Sequence, residues 1–374
     1  MKVAQVTTVH PGTENRITYK HAVALAEAGH DVHLIAPPPR ADVPGITHHL
    51  IQPSKSRLGR VPTGATQVMK KLRDIGPDVV HIHDPELLPT ALTFTRSHKA
   101  KLVYDAHENL VAQIESKAYL SRAAKPLARL AASTLTAAAD RLADAIVIAE
   151  PELAPLFPKN PTVVAVQNYP WVSNLMGEPA STQVGDRPTI GYVGAISSDR
   201  GLEAMVEATQ RSRHKPRLLL AGKLHPESLR DKLKTESVSY VGPISPAAVP
   251  DFIAQFDVGL CLLLPKPNYV DAKSTKIYEY MAAARPFVYS NFPRWVREHG
   301  SEYGTPVSPD DIESIVDAID QLLDDGAGRE RMGTRGRQRV RDDFSYEAQA
   351  DALTRLYDSL LEGRPQQRLQ GQNY

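Results

Sequence analysis

Val258-Gly-Leu-Cys-Leu-Leu-Leu264 is followed by Asp271-Ala-Lys273-Ser-Thr-Lys276-Ile-Tyr-Glu279-Tyr-Met-Ala-Ala-Ala284-Arg-Pro-Phe-Val-Tyr289. Two apolar runs flank a stretch of helical spacing. Neither run alternates apolar with polar, so each reads as a strand buried on both faces. Ile277, Tyr280, Met281 and Ala284 recur at three- and four-residue steps and form an apolar helix stripe. Strand, helix, strand is the unit of a parallel sheet. Cys261, the only cysteine, sits inside the first run and reads as a buried strand residue with no disulfide open to it.

Outward from this stretch the same alternation covers the chain. Strands are expected at 2–9, 31–36, 46–51, 78–83, 101–105, 145–149 and 162–166, then at 188–194, 217–221, 238–241, 258–264, 286–290 and 305–307. Helices are expected at 16–28, 85–97, 202–212, 247–255, 274–284 and 310–323. Residues 168–187 hold Tyr-Pro-Trp, Met-Gly-Glu-Pro and Gly-Asp-Arg-Pro with no sustained period, and read as a linker. The expectation is two doubly wound Rossmann-like α/β domains, residues 1–170 and 185–343. A last helix at about 344–361 has no strand after it, and the tail from Glu362 reads as disordered.

The 374 residues suit two cores. Hydrophobic residues make up 42%, charged residues 23%, and the net charge is +1, which disfavours a dedicated nucleic-acid binder. The N-terminus is too short and polar for a signal-peptide core, and no apolar run approaches the roughly 20 residues of a membrane helix. A cytoplasmic protein is expected. Lys55, Arg57, Arg60, Lys70, Lys71 and Arg73, with a helix bearing Lys117, Arg122, Lys125 and Arg129, form basic faces that allow peripheral contact with an anionic membrane at its inner side.

In doubly wound sheets, ligands bind beyond the carboxyl ends of the strands, which directs attention to the loops there. The first loop, His10-Pro-Gly-Thr-Glu-Asn-Arg16, lacks Gly-x-Gly-x-x-Gly, so a nicotinamide enzyme is disfavoured. His10 and Arg16 read as ordinary loop residues. Titratable groups crowd His81-Ile-His83-Asp-Pro-Glu86 and Tyr104-Asp105-Ala-His107-Glu108. A strand sends His81 and His83 to one face. Backbone bonds are expected to satisfy at least one of them, no metal site is expected, and His107 is the functional candidate. In Gly191-Tyr-Val-Gly194-Ala-Ile-Ser-Ser-Asp-Arg200-Gly201, a glycine turn and a basic helix entrance suit a phosphate. Lys276 and Glu279 lie one helical turn apart; a carboxylate in that place suits the two hydroxyls of a ribose.

These segments, in this order and spacing, resemble the retaining glycosyltransferases of family 4, of the two-domain GT-B fold. The resemblance rests on His10-Pro…Arg16-Ile…Leu25-Ala-Glu-Ala-Gly-His-Asp-Val, Val79-Val-His-Ile-His-Asp, Val103-Tyr-Asp-Ala-His-Glu108, Gly191-Tyr-Val-Gly…Arg200-Gly-Leu-Glu, Leu219-Leu-Ala-Gly222, Val241-Gly-Pro-Ile and Lys276-Ile-Tyr-Glu-Tyr-Met-Ala. It implies an N-terminal acceptor domain facing a C-terminal nucleotide-sugar domain across a cleft, with the last helix packing back on the first. Glu279 matches the second of the family's paired glutamates; Asp271 stands where the first is expected, and Ala195 stands where a basic residue is common. By resemblance, His107, Arg200, Lys276 and Asp271 are catalytic. Gly194, Arg200, Lys223, Val241, Ser274, Thr275, Lys276 and Glu279 hold the donor, a UDP- or GDP-sugar. The acceptor is a glycan, a lipid-linked sugar or a small molecule. No Asp-x-Asp triplet occurs, in keeping with transfer that needs no metal or other cofactor. A nucleotide-sugar 2-epimerase and a non-catalytic nucleotide-binding partner are the alternatives.

Overall fold

The computed structural model describes residues 1–52, 57–116, 121, 124–175 and 187–362. Most of the expected linker, the tail beyond Glu362, and Lys55, Lys117 and Arg122 lie outside them. The chain divides into two compact units: unit 1 is Met1–Asn168 with Glu347–Tyr374, and unit 2 is Tyr169–Tyr346.

Unit 1 holds β1 (Lys2–Val6), β2 (Asp31–Ala36), β3 (Ile46–Leu50), β4 (Val79–Ile82), β5 (Lys101–Ala106), β6 (Ala145–Ile148) and β7 (Val163–Ala165). They form one parallel sheet in the order β3-β2-β1-β4-β5-β6-β7. Unit 2 holds β8 (Thr189–Val193), β9 (Arg217–Ala221), β10 (Val238–Tyr240), β11 (Val258–Cys261), β12 (Phe287–Ser290) and β13 (Gly304–Val307). Its order is β10-β9-β8-β11-β12-β13, again parallel. Each order reverses once, between β1 and β4 and between β8 and β11, and the carboxyl-end crevice at such a reversal is where these sheets bind ligands.

Continuous apolar strands make sense with both faces covered. In β9, Leu218 and Leu220 pack into one core of unit 2 while Leu219 and Ala221 pack into the other. Unit 1 has its own core, from Ala4 and Val6 through Val80 and Ile82 to Ile146 and Ile148.

Some strands are shorter than their apolar runs, for tertiary reasons. β1 stops at Val6 because Asp84 Oδ2 takes the amides of Thr8 at 2.6 Å and Val9 at 3.2 Å, turning the chain out of the ladder. β11 stops at Cys261: the Leu264 amide bonds the Asp199 carbonyl and the Leu263 carbonyl accepts from Ser290 Oγ. The expected 16–28 helix is a π-helix, Asn15–Ala22, continued by a short α-helix, Val23–Glu27. Helices at Arg57–Ile75, Pro293–Tyr303 and Gly326–Asp343 are outside the sequence expectation, and the basic helix expected to bear Lys125 and Arg129 runs Lys125–Leu142. The last helix, Tyr346–Glu362, buries Leu353, Leu356 and Tyr357, and Gln349 Oε1 accepts the Gln167 amide within unit 1. Among the described residues, no helix is long and apolar enough to cross a membrane.

Candidate active site

In unit 1 the polar groups gather at the carboxyl ends of β1, β4 and β5. Asp84, just past β4, gathers the loop after β1: its Oδ2 accepts from Thr7 Oγ1, from Thr8 through both amide and hydroxyl, and from the Val9 amide. His10 Nε2 stands 3.8 Å from its other oxygen.

Asp105, fully buried at the end of β5, is the second hub. Arg16 Nε donates to its Oδ2 at 3.0 Å and Nη2 to its Oδ1 at 2.8 Å, while Nη1 reaches the Val166 carbonyl. A π-helix bonds i to i+5, so Arg16 and His21 fall on one face, and His21 Nδ1 stands 3.7 Å from Asp105. Burial alone would push the Asp105 carboxyl up, but Arg16 foremost, then His107 and His21, hold it well below its ordinary range.

His81 and His83 stack at 4.8 Å on one face of β4. Their partners are side chains, not the backbone, which corrects the sequence expectation: His81 Nδ1 pairs with Tyr357 Oη at 2.8 Å, its Nε2 has no partner among the described residues, and His83 Nε2 lies 2.6 Å from Gln5 Oε1. His83 Nδ1 is also 3.0 Å from Asp105 Oδ2, so both its nitrogens face acceptors. Either the ring is doubly protonated, or the Gln5 amide is turned half a revolution to present its nitrogen. Burial, which pushes the His83 pKa down, favours the second.

His21, His81, His83 and Asp105 place one ligand atom each within 4.8 Å of the others. A tetrahedral zinc with bonds of about 2.1 Å sets its ligand atoms about 3.4 Å apart, so this group would have to contract around it. The one carboxylate of the group is committed to Arg16, which a cation would have to displace. His107 is the partner of Asp105 at the surface, its side chain 24% exposed, with Nε2 2.9 Å from Oδ2.

In unit 2, Gly194 follows β8 at φ +130°, and a Cβ there would fall 2.4 Å from Lys276 Cε. Lys276 Nζ lies 5.3 Å from the centroid of the Tyr192 ring, and the Arg200 guanidinium lies at the same distance over Tyr269. Burial works against the charge of Arg200, but the Tyr192 and Tyr269 oxygens hold its pKa above its ordinary value. Both cations are half-buried. Among the described residues, neither forms an ion pair. Ser274 and Thr275 open the helix Thr275–Ala282, and Ser274 Oγ lies 3.2 Å from Cys261 Sγ. Burial pushes the Cys261 thiol up despite the neighbouring Lys276 and Arg200, which disfavours the reactive thiolate.

The loops after β8, β9 and β10 meet. A Cβ on Gly222 would strike the Gly194 carbonyl, the Gly222 amide bonds the Gly242 carbonyl, and Tyr240 Oη bonds the Gly222 carbonyl. Lys223 and Val241 stand exposed on these loops. Glu279 is half-buried on the helix of Lys276. The structure thus brings Gly194, Arg200, Lys276, Ser274 and Thr275 to the β8–β11 reversal, with Lys223 and Val241 beside it. Asp271 is different. Its carbonyl accepts from Arg294, but its exposed carboxylate makes no hydrogen bond or ion pair among the described residues. His107 belongs to unit 1.

A family model described as Glycosyl transferases group 1 matches residues 187–325, and one described as Glycosyl transferase 4-like domain matches residues 12–156. The chain is a GT-B glycosyltransferase. The enzyme is 22% identical to glycogen synthase of Mycobacterium tuberculosis over 99% of this chain and 98% of that one. It is 29% identical to the α-D-kanosaminyltransferase of Streptomyces kanamyceticus over 46% of each chain. Its fold is similar to that of sucrose-phosphate synthase from Thermosynechococcus elongatus, with TM-score 0.73, 18% identity and coverage of 97% and 99%. It is also similar to Anabaena HepE, solved with UDP and glucose, with TM-score 0.69, 14% identity and coverage of 96% and 100%.

Gln5, Arg16, Asp105 and Tyr357 are not among the residues that the sequence of the glycosyltransferase marks as functional. The signal for Arg16 was its place in the loop after β1; for Tyr357 there was none, since its partners lie 276 and 352 residues away.

Proposed function

We propose that the enzyme transfers a hexosyl group from a nucleoside diphosphate sugar to a hydroxyl of a glycan, lipid-linked or small-molecule acceptor, with retention at the anomeric carbon, as in family 4. The observation that carries this reading is the pair Arg200 and Lys276, half-buried beside a glycine turn and held against tyrosine rings instead of carboxylates. Partly desolvated cations without a protein counter-charge favour an anionic ligand, and a diphosphate at a glycine turn and helix start fits them.

The bond from C1 to the diphosphate oxygen breaks as the acceptor oxygen bonds C1 on the same face. The acceptor proton passes to the departing phosphate oxygen, and Arg200 and Lys276 stabilise the negative charge that gathers there. These cations supply what a divalent metal supplies elsewhere, so transfer persists without one. Glu279 accepts the ribose hydroxyls. UDP and GDP sugars are the expected donors, given that HepE binds UDP and glucose. Polysaccharide or glycolipid synthesis at the inner face of a membrane, with salt-sensitive adhesion through Lys70, Lys71, Arg73, Lys125 and Arg129, accords with the same reading.

The test is a thermal-shift screen of nucleotide sugars, followed by transfer assays with product anomers read by NMR. A UDP- or GDP-sugar should stabilise the protein, the product should keep the donor's anomeric configuration, and EDTA should leave the rate intact. Glu279→Gln should weaken binding of the bare nucleotide about tenfold through lost charge-assisted hydrogen bonds. Inverted product, or activity abolished by EDTA and restored by Mg²⁺, would sink the reading. Consumption of donor alone, without an acceptor, would turn it towards epimerisation.

A further inference from the structure

Asp105 Oδ2 receives three side chains, Arg16 Nε at 3.0 Å, His83 Nδ1 at 3.0 Å and His107 Nε2 at 2.9 Å. Its depressed carboxyl is an acceptor and nothing else. His107 must therefore carry a proton on Nε2, and in the neutral ring the lone pair is on Nδ1. Nothing soft holds this arrangement. Asp105 is on a central strand with no surface exposure, and Arg16 clamps both its oxygens while anchored to the Val166 carbonyl at 2.6 Å.

We propose that Asp105, clamped by Arg16, is a positioning residue that fixes His107 as its Nε2–H tautomer and so presents Nδ1 as acceptor to a sugar hydroxyl. This rests on the reading that His107 acts at the reacting sugar. The hydroxyl donates to Nδ1, so this subsite takes hydroxylated carbon positions and disfavours deoxy sugars at the position it reads.

The measurement is the ¹⁵N tautomer pattern of the His107 ring in the full-length enzyme with labelled histidine, at a pH where the ring is neutral. His107→Gln assigns the signal. The expected result is a protonated Nε2 and a pyridine-like Nδ1; a neutral ring protonated on Nδ1 overturns the proposal. Asp105→Asn, which can offer an N–H to Nε2, should change that pattern. It should also lower kcat about a hundredfold, with the donor KM changed less than about threefold. A folded Asp105→Asn enzyme with wild-type kcat and the wild-type tautomer would also overturn it. Should the variant fail to fold, the wild-type tautomer still decides. His107→Ala with normal turnover would remove the role of His107 in transfer and is distinguishable, because the tautomer is read without substrate.

Discussion

Lys276 Nζ lies 5.3 Å from the centroid of the Tyr192 ring, one helix and one strand bringing a cation onto the face of an aromatic at the β8–β11 reversal. Such a contact holds the ammonium in place without neutralising it. The charge is then free to act on an anion. A preorganised donor aimed at developing charge is worth about 3–4 kcal/mol. Arg200→Ala and Lys276→Ala should each lower kcat about 10²–10³-fold and change affinity for the unreacted donor less. The double variant should lose less than the product of the two, since both act on one diphosphate. Steady-state kinetics check this, and near-normal rates in both single variants would move the phosphate site to other loops.

Gly194 makes the same prediction from the backbone side. Its φ of +130° is hard for any side chain, and a Cβ would stand 2.4 Å from Lys276 Cε. Gly194→Ala should therefore displace the lysine and lower donor affinity and kcat together while the far side of unit 2 stays folded. A crystal structure or donor titration of the variant decides; unchanged donor binding would show that the lysine swings freely.

The alternation of buried strands and helices was legible in the sequence because parallel strands covered on both faces are apolar at every position, as in the β9 residues Leu218 to Ala221. Strand ends were not, because distant side chains set them: Asp84 claims the amides of Thr8 and Val9 across more than seventy residues. The same holds at the site. Gly194, Arg200 and Lys276 lie on loops and helix starts after buried strands, which a sequence reveals, but the rings that hold the two cations are not visible in it. Arg16 looked like a loop residue and is 4% exposed, because a π-turn and Asp105 draw it inside.

Acid should loosen unit 1 well above carboxylate range. Burial holds His21 and His81 well below the usual 6.5 and His83 below it, with Arg16 and the neighbouring histidines adding to the effect for His21 and His81 and Asp105 opposing it. As pH falls through about 6.5, the unfolded chain takes up protons that the folded protein refuses, so stability falls, by at most about 1.4 kcal/mol per pH unit for each ring. In unit 2, His299, pushed down to about 4 by burial, adds a fourth. Denaturation midpoints should drop steadily from pH 7 to pH 5. A flat profile over that range would mean that these rings are protonated in the folded protein.

Tyr357 closes the buried network from the last helix. Its hydroxyl pairs with His81 Nδ1 at 2.8 Å and lies 3.3 Å from the other end of the Gln5 side-chain amide, while His81 Nε2 has no hydrogen-bond partner among the described residues. Tyr357→Phe keeps the packed ring but leaves His81 Nδ1 with the Gln5 side-chain amide, 3.2 Å away, as its remaining partner. The cost should be about 0.5–1.5 kcal/mol, the net worth of one hydrogen bond. In the double variant, Tyr357→Phe with His81→Leu, that bond is counted once, so it should be less destabilised than the sum of the single ones. Equilibrium denaturation of the four proteins of this cycle measures the coupling. Strict additivity would mean that the hydroxyl and the imidazole do not bond, and that the last helix is held in unit 1 by its buried Leu353 and Leu356 and by the bond from the Gln167 amide to Gln349.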